Sequence, residues 1–417
     1  MDRQLVKPLV PVKGTTRCSF ADGIVVFARP TVVLVYPERL DPSRLRDALA
    51  CVLSDFGAFA GRLVRADGNW LIEHGVSAAF ETAESRENCV ALGTAVRVGH
   101  SKLVCPVLSD TGALRGKEPL FSARLTQTHD GSVLGITWNH VLGDNHSMLL
   151  LLRAWARAYR GEPYDKPLDV PDRDAYLHEH IPHVTHGEAP WRILSWSEYL
   201  RSVGYQWSIS RDASRVTLEF PWTVLEAIHP AGTSERLVSP GVALCSHIFS
   251  MLHRFGDGMS PVLFTSINYR RKLRLPLNLL GNMSHFISVR TNPDDGADAI
   301  AAALRASIEA FNGASLARDQ LQGLKDSHSG IFDLMRFWAY GEVGRTIISM
   351  TDVSRSGYHK LAFESAAPLL NHVRATDVPL VGLGTILASS GGTGLAVDIV
   401  LPSKVIERLA RENVAVS

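Results

Sequence analysis

The chain carries no long apolar run, no paired-cysteine motif, almost no net charge and no tract of low complexity, and each absence removes a class of protein. No stretch approaches the ~20 apolar residues that span a bilayer. The opening residues, Met1 to Pro8, lack the apolar core of a secretory leader, so the expectation is a cytoplasmic protein without a membrane span. Cys18, Cys51, Cys89, Cys105 and Cys245 are odd in number, scattered and without a CxxC spacing, which argues for reduced thiols and against a disulfide framework or zinc site. Lys plus Arg number 43 against 42 Asp plus Glu, leaving a net charge of +1. No global field therefore attracts nucleic acid, and any anionic ligand must be met by a local patch.

What remains is an ordinary globular composition, 46% hydrophobic and 20% charged over 417 residues. That length exceeds what a single core fills well, so two domains are expected. Thr31 to Tyr36, β-branched and apolar, reads as a buried strand, and Asp41-Pro42 as the N-cap and first position of a helix whose face carries Leu45, Leu49, Val52 and Leu53. Phe121 to Thr128 and Val133 to Trp138 read as a hairpin turning at His129-Asp130-Gly131. A helix with an apolar surface of Met148, Leu149, Leu151, Leu152 and Trp155 follows, for which Asn145 is the expected cap.

Between about Tyr164 and Pro190 the chain is rich in Pro, Asp and His and loses periodicity, as a linker does. Beyond it, Val216 to Phe220, Pro261 to Asn268, Thr346 to Met350, Val378 to Ala388 and Gly394 to Leu401 read as strands. Trp222 to Ile228, Gly241 to Phe255, Ala297 to Phe311 and Val405 to Glu412 read as helices. The expected organisation is an N-terminal domain over 1–175, a crossover over 176–205 and a C-terminal domain over 206–417, part of which crosses back to the first.

His140-Val141-Leu142-Gly143-Asp144 places an imidazole and a carboxylate four residues apart in the loop between a strand and a helix. The spacing alone permits a locally capping aspartate, or a carboxylate that orients a catalytic histidine. Four further segments give it context. They are Ala60-Gly61-Arg62-Leu63; the apolar helix Gly241 to Leu252 with Ser246; Asn268-Tyr269-Arg270-Arg271 with Leu275-Pro276-Leu277; and Gly281-Asn282. In this order and at these distances they make a chain that resembles the BAHD acyltransferases, within the superfamily of CoA-dependent acyltransferases that also holds chloramphenicol acetyltransferase and the peptide-synthetase condensation domains. One hallmark is broken: where the family has DFGWG, this chain has Ala362-Phe363-Glu364-Ser365-Ala366, followed by Pro368.

The resemblance implies an α/β fold of two similar chloramphenicol-acetyltransferase-like domains, each a mixed β-sheet flanked by helices, with the active-site channel at their interface. It implies transfer of an acyl group from acyl-CoA, a co-substrate and not a permanently bound cofactor, to a hydroxyl or amine of a small-molecule acceptor of secondary metabolism, by a monomer. His140 would act as general base without a covalent intermediate, since an imidazole titrating near neutrality suits that task. Asp144 would turn from the cavity and pair with Arg270, and Gly143 would serve the tight loop.

Substrate contacts fall, on the same grounds, to Arg355, to Asn282 and to Ser365, which stands where the family's tryptophan has been assigned near the oxyanion. Loss of an oxyanion donor costs on the order of 10²–10³ in turnover. No metal is expected. His178, His180, His183 and His186 follow no zinc spacing, and Pro182 breaks any helix that would align them. Two other readings stand beside this one. A condensation-type enzyme would draw its acyl group from a carrier protein, although Asn139 stands where those domains usually have a second histidine. An inactive relative would keep the fold as a binding protein.

Overall fold

The computed structural model describes residues 2–66, 68–97, 99, 101–182, 191–228, 238–255, 259–292, 294–317, 337–339, 345–374, 376 and 380–411. Two compact units emerge from them. The first comprises residues 1–182, 268–283 and 356–377, and the second residues 183–267, 284–355 and 378–417.

In the first unit a six-stranded mixed sheet runs in the order Asp2–Val6, Ala78–Glu84, Phe121–Gln127, Ser132–Trp138, Thr31–Tyr36, Leu370–Arg374. Only the Ala78–Glu84 and Phe121–Gln127 pair is parallel. All six residues of Thr31–Tyr36 are buried, because alternate side chains enter two cores. Val33 and Val35 pack with Cys89, Leu92 and Val96 of the helix Cys89–Arg97. Tyr36, on the alternate face, meets the ring of Phe363 edge-on at 5.9 Å.

On that second face lie the helices Pro42–Leu53 and Asn145–Tyr159, tied by the Trp155 indole N–H donating to Leu45 O at 2.8 Å. Phe363, the residue retained from the broken motif, is fully buried, with Trp155 at 5.4 Å and Tyr159 at 5.8 Å. Its place in this edge-to-face cluster is one of packing. A smaller sheet joins Thr15–Arg17, Asn69–Glu73 and Arg62–Ala66.

The second unit has its own six-stranded mixed sheet, Ala213–Pro221, Gly394–Pro402, Leu383–Ala388, Thr346–Asp352, Met259–Asn268, Ser284–Arg290. Its helices include Trp196–Ser210, Pro240–Phe255, Ala297–Ala310 and Ser403–Arg411. Leu244, Ile248 and Leu252 are buried on one, Ile300 and Leu304 on another, at helical spacing. Ser246, read from sequence near the head of its helix, lies within it and is fully buried. No helix among the described residues is long and apolar enough to cross a membrane.

Two local expectations are corrected. The helix after His140 is capped by Asp144, whose carboxylate accepts from Ser147 N at 2.9 Å; Asn145 is the first helical residue. The aspartate wins the cap because ionised oxygens make the stronger acceptor. The stretch read as aperiodic holds a short helix, Arg173–His180, capped by Asp172, too brief to print an apolar period on the sequence.

Candidate active site

His140 opens a single 3₁₀ turn, His140–Leu142, at the end of the strand Ser132–Trp138. Asn139 caps it: its Oδ1 accepts from Val141 N at 3.0 Å, and its Nδ2 donates to Val26 O at 2.8 Å. Gly143 closes the turn with φ 151°. A β-carbon there would lie 2.7 Å from both Cβ and Oγ of Ser147, so a side chain meets strained backbone and an occupied space.

The carboxylate of Asp144 is spent away from the imidazole. Arg270 Nη1 lies 2.7 Å from its Oδ2 and Nη2 3.3 Å from its Oδ1. Ser147 N, Ser147 Oγ and Met283 N also donate to it, at 2.9, 3.1 and 3.1 Å. Arg270 is fully buried, and its remaining donors reach Leu279 O at 2.9 Å, Gly281 O at 3.0 Å and Ser147 Oγ at 3.1 Å. Burial opposes ionisation of Asp144, but the Arg270 guanidinium and the hydrogen bonds to the carboxylate outweigh it and hold its pKa at about 2.

A second buried ion pair, absent from the sequence reading, lies on the other side of the turn. Asp22 and Arg173 have fully buried side chains and meet at 3.0 Å. Arg173 Nη1 donates to Val141 O at 3.1 Å and its Nη2 to Leu142 O at 3.3 Å. Asn282 Nδ2 donates to Asp22 Oδ1 at 2.7 Å and to His140 O at 2.8 Å. The structure thus brings His140, Gly143, Asp144, Arg270 and Asn282 together. The signal that could have found the other pair is Ser19-Phe20-Ala21-Asp22, a capping-box spacing, which is realised here with Asp22 Oδ2 accepting from Ser19 N at 2.7 Å.

His140 itself is part-exposed. Its Nδ1 is buried and has no hydrogen-bond partner among the described residues. Burial lowers its pKa below the ordinary imidazole value, outweighing a hydrogen bond to its own backbone, the pull of Asp144 and Asp22 and a hydrogen bond with the Asn282 side chain. The ring is therefore neutral at pH 7 and able to accept a proton.

The other sequence candidates are held elsewhere. Ser365 is exposed, and its Oγ donates to Glu38 Oε1 at 2.5 Å. Arg355 is exposed in the second unit. His183 and His186 lie outside the described residues, while His180 stacks on Tyr176 with centroids 4.2 Å apart.

Comparison with known proteins gives the same picture from outside. The Transferase family matches residues 23–197. No curated protein matches the chain by sequence. Among solved structures, vinorine synthase is 17% identical, with a TM-score of 0.72 over 100% of this chain and 98% of that one. TRI101 of F. sporotrichioides, solved with coenzyme A and T-2, is 15% identical with a TM-score of 0.71 over 95% and 97% of the two chains. TRI101 of F. graminearum, solved with coenzyme A and deoxynivalenol, is 13% identical with a TM-score of 0.71 over 95% and 97%. At these identities the structures establish the fold. Together with the family match over residues 23–197, that fold bears out the resemblance to the BAHD acyltransferases, with Ala362 to Ala366 in place of the DFGWG motif.

Proposed function

We propose that this protein transfers an acyl group from acyl-CoA to a hydroxyl or amine of a small-molecule acceptor, with His140 as general base. One observation carries the reading: an imidazole whose Nδ1 has no partner among the described residues, on a turn pinned by two buried ion pairs. A thioester is already activated, so the protein's task is to remove the acceptor's proton as its oxygen or nitrogen attacks the carbonyl. The tetrahedral intermediate then collapses, the C–S bond breaks, and the imidazolium returns the proton to the leaving thiolate. Asp144 does not form a triad in this scheme. It is tied to Arg270, so its contribution is the shape of the loop.

Relatives of the same fold support the substrate class, since TRI101 is solved with coenzyme A and with small-molecule acceptors. The test is release of free thiol from a panel of acyl-CoAs and acceptors. His140→Ala is expected to lower turnover roughly 10²–10⁴-fold with little change in melting temperature. Equal thiol release by His140→Ala and the parent would overturn the base assignment. Acyl transfer from acyl-carrier protein with none from acyl-CoA would favour the condensation-type reading.

A further inference from the structure

The 3₁₀ turn presents three carbonyls, those of His140, Val141 and Leu142, and each accepts from a side chain of one connected group. Asn282 Nδ2 takes the first at 2.8 Å, and Arg173 Nη1 and Nη2 take the other two at 3.1 and 3.3 Å. Asp22 joins the two donors: its Oδ2 faces Arg173 at 3.0 Å and its Oδ1 accepts from Asn282 Nδ2 at 2.7 Å and from Asn282 N at 3.2 Å. All four residues lie in the first unit, although the chain reaches them at positions 22, 140, 173 and 282. Asp22 and Arg173 are wholly buried and Asn282 is 4% exposed.

A bare structural ion pair would not need this orientation. Burying two charges is only weakly stabilising when balanced against desolvation. Arg173 spends two of its donors on a single turn, and an isolated 3₁₀ turn has poor intrinsic geometry to hold itself. The Nδ1 of His140 is buried and has no hydrogen-bond partner among the described residues, so no bond at that nitrogen orients the ring. The backbone of His140 is the handle through which the surrounding residues set the ring's direction. That backbone is bonded on one side through His140 N to Ala28 O at 3.0 Å, and on the other through its carbonyl to Asn282.

We infer that Asp22, Arg173 and Asn282 are positioning residues that lock the carbonyls of the His140–Leu142 turn and so aim the imidazole of the proposed acyl transfer. Asp22 is the hinge of the lock, Arg173 and Asn282 its two arms. The inference rests on His140 as the base, but its physical content is the direction and surroundings of one ring, which can be read without turnover.

Two variants and two readouts test it. Asn282→Ala removes the arm on the His140 carbonyl. Arg173→Lys keeps a cation beside Asp22 and loses the planar fork that spans two carbonyls. For each, the His140 imidazole is titrated by NMR, its signal assigned by its absence in His140→Ala. The charged groups that act on this ring are Asp144 and Asp22, with Arg270 and Arg173 as their respective partners, and the Asn282 side chain acts on it by a hydrogen bond.

In folded Arg173→Lys the His140 titration is expected to rise toward the ordinary imidazole value, as the loosened turn admits water; in Asn282→Ala the rise is smaller, because a hydrogen bond that raises it is removed. kcat falls roughly 10–100-fold while KM for acyl-CoA stays within about threefold, the pattern of a misplaced catalytic group. If both variants fold and leave the His140 titration unmoved, the lock is overturned, whatever the activity. If the titration shifts but no acyl-CoA and acceptor pair shows His140-dependent turnover in the parent, the lock stands and the acyl-transfer reading falls.

Discussion

The two buried arginines beside His140 are alike in burial and opposite in design. Arg270 meets Asp144 at 2.7 Å and ties the carboxylate that caps the following helix, so its bonds converge on the exit of the turn. Arg173 meets Asp22 at 3.0 Å and turns its Nη1 and Nη2 onto the turn itself. The first arm sets where the chain goes after the histidine; the second sets how the histidine's own backbone lies.

The arms differ in charge as well. Asp144 is the carboxylate bonded to Arg270, whereas Asp22 at 3.0 Å and Asp169 at 3.8 Å both reach Arg173, and Asp174 stands close enough to feel Asp22. The lesson is that one turn can be held by a balanced pair, which is robust, and by an acidic cluster, which responds to pH.

The largest expected effect breaks the balanced arm. Asp144→Ala leaves Arg270 charged and fully buried without its partner and removes a helix cap, which should cost about 3–5 kcal/mol in denaturant unfolding. If the variant unfolds within 1 kcal/mol of the parent, on the scale of an exposed pair, the arm is not the support described.

Next in size is Gly143→Ala. The added β-carbon would lie 2.7 Å from Ser147 Cβ and Oγ at φ 151°, and Ser147 Oγ bonds Asp144 and Gly281 O and accepts from Arg270. The expected destabilisation is on the order of 1–3 kcal/mol, delivered to the Arg270 arm alone. His140 O remains bonded to Asn282, so the sharper version of this measurement asks whether the His140 titration stays put while the melting temperature falls.

Acid separates the arms further. The pKa of Asp144 is lowered from 3.8 to about 2, so its contribution is complete above pH 4 and is lost as pH falls toward 2. Through linkage that is worth roughly 2 kcal/mol. Asp144→Asn should lack this part of the acid limb, and an unchanged limb would remove Asp144 from the account.

The same contrast explains what the sequence could tell. His140 and Asp144 lie within five residues, between a strand whose apolar residues identify it and an amphipathic helix. The pairing with Arg270 that the resemblance implies is present at 2.7 Å. Asp22 and Arg173 left no such trace. One sits in a helix of five residues and the other in one of eight, too short for periodicity, in a segment whose Pro, Asp and His content resembles a linker.

The edge strand Leu370–Arg374 was invisible for a related reason. Asn371, His372 and Arg374 are buried there, with Arg374 Nε 2.9 Å from His372 Nε2, so polarity hides a strand that tertiary contacts make. Ser365 stands, by the resemblance, where the family's tryptophan lies; here its hydroxyl is bonded to Glu38, and the ring of Phe363 is what the motif adds to the core.

The last measurement sharpens the comparison most, because it acts on the acidic arm alone. Asp174 is a partly exposed residue whose Oδ1 accepts from Phe20 N at 3.2 Å. Burial of its carboxyl raises its pKa to about 7; the Phe20 hydrogen bond opposes the shift, and Asp22 and Asp172 add to it. A carboxyl with a raised folded pKa contributes stability that is complete below its ordinary value of 3.8 and is lost as pH rises through 7. Asp174→Asn fixes the neutral form in nearly the same shape and keeps an oxygen for Phe20 N. Its melting temperature should therefore gain on the parent at pH 8 and show a smaller difference at pH 5, whereas the same comparison for Asp144→Asn should show a loss at both. A gain for Asp174→Asn that is equal at the two pH values would mean that Asp174 is ionised throughout, and the acidic arm would then be no more pH-responsive than the Arg270 arm.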